Sequence, residues 1–297
     1  MVSISVGNRL RRNSVVPRRR RWTVLVLIDK LGSRVLGLFR YVFYLIALLY
    51  LSIKVVWTNR DLGQRDFLKQ VFLQIYYTGV QAVGPVITLA LGVGAFAIVA
   101  GVGGIGALSG AESLGKIITV VVLGEVAPLL TGGVVIVRSV TAIASELGIM
   151  RVQREIEAIE AMGLSPVRQL ITPRIFGGVL SLFGLNMLFN TVALAGGFLL
   201  AQFLVNIPAH VFFQAVFSAV QPIDILGLTL KIGVGGVGLF LIACYHGMAV
   251  SRSSTEVPVA VSRASLNSLV FLVVLHGLVS FWVLFQAGAS RLSGGVF

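Results

Sequence analysis

The stretch Ile117-Ile-Thr-Val-Val-Val-Leu-Gly124-Glu125-Val-Ala-Pro128-Leu-Leu-Thr-Gly-Gly-Val-Val-Ile-Val137 holds 21 residues and one ionisable side chain, Glu125. Its apolar residues follow one another instead of alternating with polar ones, so it does not read as a half-buried strand or a surface helix. Its length matches the roughly 20 residues that carry an α-helix across a bilayer. In hydrocarbon the backbone must satisfy its own hydrogen bonds, and a helix does so within one segment. Similar runs recur at about 80–100, 175–204, 225–245 and 266–285. The sequence therefore predicts an all-α, polytopic integral membrane protein with five spans, alongside the span at 117–137 counted among them.

Composition agrees. The chain is 57% hydrophobic and 12% charged, with mean hydropathy +0.96. Soluble domains carry about 25% charged residues. The 34 glycines suit close approach of membrane helices. Net charge is +13, and 14 of the 24 lysines and arginines lie in the first 70 positions, Arg18 to Arg21 among them. A basic segment ahead of apolar spans is a topology signal that holds the N-terminus in the cytoplasm, beside anionic lipid. No stacking motif or folded basic domain accompanies it, so nucleic acid is not an expected partner.

Residues 1–22 read as a basic, disordered N-terminus, and 23–290 as one membrane domain. From 23 to 57 the apolar character is interrupted by Asp29, Lys30, Arg34, Arg40 and Lys54. Charges that frequent are costly at the bilayer centre. The segment reads as a helix lying in the cytoplasmic interface, with a full span as the alternative. The Val24–Ile28 run lacks a small-residue cleavage site, so it reads as retained. Asn59 to Lys69 reads as a polar turn. The connection between the second and third spans carries Arg138, Arg151, Arg154, Arg168 and Arg174, and the 247–263 loop carries Arg252 and Arg263. The other two loops hold almost no base. The positive-inside rule then places both basic loops in the cytoplasm and the C-terminus outside.

Some patterns promise chemistry that their context denies. Gly101-Val-Gly103-Gly-Ile-Gly106 fits a dinucleotide fingerprint, and Gly110-Ala-Glu-Ser-Leu-Gly115-Lys116 resembles a phosphate-binding loop. Each motif needs a preceding strand and a following helix, and the second needs Ser or Thr after the lysine. Here a span precedes and Ile117 follows, so the chain itself is not expected to bind ATP. Cys244 stands alone, and His210, His246 and His276 show no ligand spacing, so no metal or cofactor is expected. No catalytic constellation is present.

The most informative connection reads Ser145-Glu146-Leu147-Gly148-Ile-Met150-Arg-Val152-Gln-Arg154-Glu155-Ile156-Glu157-Ala158-Ile159-Glu160-Ala161-Met162-Gly163-Leu-Ser-Pro166. Val152, Ile156 and Ile159 make a helical stripe, with Gln153, Glu157 and Glu160 on the other side. Gly148 and Gly163 bracket an amphipathic helix predicted over 149–162, which Pro166 prevents from continuing. An acidic face suits a protein partner better than an anionic lipid surface. Inside the spans, Glu125 and Lys231 are the ionisable residues, and such groups face a cavity or one another. A structural ion pair or a snorkelling Lys231 is the alternative to a functional role. Pro128 frees a backbone carbonyl one turn back.

Glu125-Val-Ala-Pro128-Leu-Leu130, Arg138, Ser145-Glu146-Leu147-Gly148-Ile-Met150, Glu157-Ala158, Met162-Gly163, Pro166, Leu170 and Pro173-Arg174 together resemble the signature of the MlaE/YrbE permease family, over about residues 65–285. The resemblance implies an interfacial N-terminal helix, five spans and a short cytoplasmic coupling helix seated on an ABC ATPase. It implies a dimer, most simply a homodimer, with an MCE-domain substrate-binding partner, moving phospholipid or related lipid at a bacterial inner membrane. It places Glu125, Pro128 and Lys231 at a lipid cavity. It assigns ATPase coupling to Glu146, Gly148, Met150, Arg154, Glu155, Glu157, Glu160 and Gly163. Three features depart from the family pattern: Gly124 stands where an arginine is common, the 252–258 loop is not glycine-rich, and the extended arginine-rich N-terminus is unusual. An ion-coupled secondary transporter or channel without an ATPase is the alternative function.

Overall fold

The computed structural model describes residues 36–37, 39–55, 64–100, 118–205, 208–251 and 253–293. The basic segment 1–22, the first part of the predicted 23–57 helix and the glycine-rich 101–116 stretch lie outside the described residues. Two units are distinguished, Met1–Ile46 and Ala47–Phe297, and among the described residues the helices long and apolar enough to cross a membrane lie in the second.

Residues 39–55 form α1. Then follow α2 (Gln64–Thr78), a 3₁₀ turn at Val80–Ala82, α3 (Val83–Ala100), α4 (Ile118–Val152), α5 (Glu155–Ala161), α6 (Thr172–Val205), α7 (Ala209–Ala219), α8 (Pro222–Met248) and α9 (Val257–Ser293). Five stretches have the length and composition of spans: Arg65–Ala100, Ile118–Val152, Val167–Leu204, Pro222–Met248 and Ser254–Gln286. The all-α, five-span architecture expected from the apolar runs is thus present.

The helices are longer than the apolar runs that announce them. The first span is extended by α2, which begins at Gln64 inside the stretch read as a polar turn. The second span runs on through Arg138 and Glu146 to Val152, because both charges find partners on neighbouring helices. Pro222 opens α8, and the Asp224 carboxylate accepts the Gln221 N–H at 3.0 Å. A helix at that point needs its first N–H groups satisfied, and a proline at the first position sacrifices none.

α4 is the central element, packing on α3, α6, α8 and α9, while α2 and α3 share opposite halves of α6. α8 is buried over 50% of its most apolar window, against 17% for the last span, so α8 is interior and α9 peripheral. Small residues set the closest approaches. A Cβ on Gly94 would collide with the backbone carbonyl of Ala193, and one on Gly178 with the Phe240 ring. Between apolar surfaces in lipid there is little hydrophobic gain, so close backbone packing is what joins α3 to α6 and α6 to α8.

One helix was not expected. The 206–221 connection was read as a loop, yet Ala209–Ala219 is helical, with Phe212 and Val216 buried against Ile98, Ile118 and Ala201. Phe198, Phe212 and Phe213 stack around it with centroids 5.4–5.6 Å apart. Eleven residues are too few to span, so length alone concealed it from the search for spans.

Candidate functional site

Two groups of residues stand out, one inside the spans and one at the cytoplasmic bend predicted between α4 and α6.

The first is built on α4. Its segment Ile118–Val126 is a π-helix, and an α-helical segment resumes at Ala127 with Pro128 in its first positions. A proline has no N–H to offer the turn that precedes it. The Lys231 ammonium of α8 donates to the Gly124 carbonyl at 2.9 Å and pairs with Glu125 at 2.7 Å. Ser280 of α9 donates toward the same carboxylate at 2.8 Å, and also contacts the His276 carbonyl at 2.7 Å. Three helices therefore meet on one carboxylate. The Lys231 side chain is only 4% exposed, whereas that of Glu125 is 37% exposed. Glu125 keeps an open side, and the lysine does not.

Of the three residues predicted at a cavity, Glu125 and Lys231 are brought together, and Pro128 stands three residues beyond Glu125 on α4. Ser280 was missed. Its signal was present, since His276 and Ser280 are one helical turn apart in the last apolar run and fall on one face. A second polar contact on α4, Thr131 to Asn186 of α6 at 3.4 Å, continues to Asn190 at 3.3 Å. Both asparagines had been absorbed into an apolar run.

The second group corrects the predicted 149–162 helix. α4 does not stop at Gly148, which is buried with Val250 and Val257 side chains 3.3 Å from where its Cβ would stand. That glycine serves packing, not helix initiation. The helix ends at Val152 instead. Gln153 still bonds to the Ile149 carbonyl at 2.9 Å, then Arg154 turns left-handed with φ 61 and α5 starts at Glu155. The turn redirects the chain so that Ile156 is completely buried, which a straight continuation of α4 would not achieve.

α5 ends as its glycine suggests. Gly163 takes φ +76, its N–H bonds to Glu160 at 2.9 Å, and the Leu164 N–H bonds to Ile159 at 3.2 Å. These are the two reversed bonds of a Schellman cap. Glu155 and Glu160 are exposed and Glu157 is half-buried, while Met150 is half-buried on α4. Glu146 behaves differently from the other predicted coupling residues: it pairs with Arg174 of α6 at 2.8 Å. Arg138, also on α4, donates from Nη1 to the Gln81 carbonyl at the 3₁₀ turn between α2 and α3.

A family model described as Permease MlaE matches residues 71–282. The chain belongs to the MlaE permease family. The match begins within α2 and ends in α9, so it takes in all five spans and both groups of site residues. Among similar proteins of this family, a probable ABC transporter permease of Rickettsia felis is 25% identical over 156 residues, 52% of this chain and 60% of that protein. The chloroplastic protein TRIGALACTOSYLDIACYLGLYCEROL 1 of Arabidopsis thaliana is 29% identical over 166 residues, 56% of this chain and 47% of that one. The intermembrane phospholipid transport system permease MlaE of Haemophilus influenzae is 25% identical over 165 residues, 55% and 63% respectively. The alignments therefore span about 60% of the length of the first of these MlaE-type relatives.

Proposed function

We propose that this chain is the membrane permease subunit of an ATP-driven transporter that moves phospholipid or a related lipid between membranes. A separate ABC ATPase hydrolyses the ATP, and the permease makes and breaks no covalent bond. The observation that carries this reading is the bend between α4 and α6. In a chain of the MlaE family, it sets a seven-residue acidic helix, Glu155–Ala161, between two left-handed residues. Such a helix is fixed in direction at both ends and offers Glu155 and Glu160 to a partner. The ATPase pushes there, α4 transmits the displacement, and the spans reshape a lipid cavity beside Glu125, Pro128 and Lys231. The open side of the Glu125 carboxylate supports its place at that cavity.

The remaining partners are a second permease copy and an MCE-domain lipid-binding protein. The site of action is the bacterial inner membrane, with the N-terminus in the cytoplasm, as the clustered arginines favour. On α1, Phe39, Phe43, Ile46 and Tyr50 are exposed at a spacing of three and four residues, the stripe a helix lying in the interface presents to lipid.

The test is affinity purification of the tagged permease from mild detergent, followed by reconstitution. The reading expects a co-purifying ATPase and ATP-dependent transfer of a fluorescent phospholipid between vesicle populations. Transfer driven by an ion gradient, with no ATPase bound and no response to ATP, would refute it.

A further inference from the structure

The bend has two legs: Thr141–Val152 at the end of α4, and the π-turn Val167–Ile171 leading into α6. The first leg is wedged on α8 and the loop beyond it. Gly247 abuts Leu147 and Ala144, and Gly148 faces Val250 and Val257. The backbone of the first leg seldom approaches that of the second leg or α6. Among the described residues, the ion pair Glu146–Arg174 bridges them at 2.8 Å.

That pair is built unevenly. The Arg174 side chain is 10% exposed, and the Glu146 side chain 60%. Arg174 Nη1 is buried without a hydrogen-bond partner, so Glu146 is the carboxylate that compensates the guanidinium. A buried ion pair is weak evidence for stability, because well-packed apolar residues often replace one without loss. What it supplies is direction, since a planar guanidinium donates to a carboxylate over a narrow range of angles.

We propose that Glu146 and Arg174 are positioning residues that form a strut across the base of the bend, so that a displacement of α5 moves α4 and α6 as one body. The inference rests on the proposed ATPase-driven function, and it takes Glu146 out of the docking surface. With the strut intact, motion reaches Glu125 along α4 and the α6 polar contacts at Asn186 together. Without it, α5 swings on the Arg154 and Gly163 hinges, and hydrolysis proceeds without transport.

The experiment compares wild type, Glu146→Gln and the double variant Glu146→Gln with Arg174→Met, as reconstituted complexes. Membrane level, bound ATPase, ATP hydrolysis and lipid transferred per ATP are measured for each. The strut predicts retained ATPase and hydrolysis, with transfer per ATP falling at least about fivefold, the low end of an allosteric coupling, in both variants. The double variant buries no orphaned charge, so a merely structural pair would regain wild-type coupling there, which overturns the proposal. Loss of bound ATPase in Glu146→Gln also overturns it, because Glu146 would then be a docking residue. If the wild-type permease carries no ATPase at all, the functional reading fails, and a second measurement decides the strut. Cys244, the sole cysteine, is fully buried and within electrostatic reach of both charges. Maleimide labelling of the permease alone is expected to be faster in Glu146→Gln than in wild type; equal rates overturn the strut.

Discussion

Cutting the intramembrane pair from either side should give unequal results. At 2.7 Å, and with an effective dielectric of about 20, the Lys231–Glu125 attraction is about 6 kcal/mol. Desolvating the two ions costs several kcal/mol each, so the intact pair contributes little net stability. Removing one partner is another matter, because the survivor keeps its desolvation cost. Glu125→Gln strands an ammonium that is 4% exposed, held by the Gly124 carbonyl. Breaking a buried pair in this way costs about 3–5 kcal/mol. Lys231→Met strands a carboxylate that still accepts from Ser280 at 2.8 Å, and that charge-assisted bond offsets part of the loss, so the cost is smaller than for Glu125→Gln. The double variant should lie closer to wild type than Glu125→Gln alone. Thermal unfolding of the detergent-purified protein reads the difference, at roughly 2–4 °C per kcal/mol for a domain of this size. A coumarin maleimide that labels Cys244 on unfolding supplies the signal. A Lys231→Met protein less stable than Glu125→Gln, or a double variant worse than both, would refute the assignment of lysine as the trapped charge. In transport, Glu125→Gln should assemble with its ATPase and move lipid poorly, and wild-type transfer would leave Glu125 with a structural role alone.

Other outcomes follow from the same geometry. Gly163→Val meets open space but keeps φ +76, so it strains the backbone by about 1–2 kcal/mol. It should insert normally yet recover less ATPase in pull-downs, while Gly163→Asn, which tolerates that region, should recover near wild-type amounts. Reversing Glu157 and Glu160 to lysine should weaken ATPase recovery by an amount that depends on salt, and recovery unchanged from low to high salt would place docking elsewhere. Gly94→Ala drives a methyl into the Ala193 carbonyl, which cannot rotate away as a side chain would. It should cost about 1–3 kcal/mol as overpacking, seen as a lowered unfolding temperature, with the Gly92→Ala control, which meets nothing, unchanged.

The sequence by itself determined the solvent, the number of spans and the kinship. Uninterrupted apolar runs near 20 residues leave few alternatives, and the 125–174 signature is specific enough to mark the MlaE resemblance. It also marked the left-handed stop at Gly163. It overran at Gly148, because a glycine flanking an amphipathic stripe looks the same whether it starts a helix or lets two helices touch. Only the tertiary structure decided that Lys231, 106 residues away, pairs with Glu125, that Ser280 completes the cluster, and that Glu146 is bound to Arg174. The reason lies in the medium. A helix in lipid shows apolar residues outward as well as inward, so composition carries little contrast to reveal which face meets a neighbour. Rotation and pairing are then set by small residues and rare polar groups on several helices at once, and those meet only when the chain is folded.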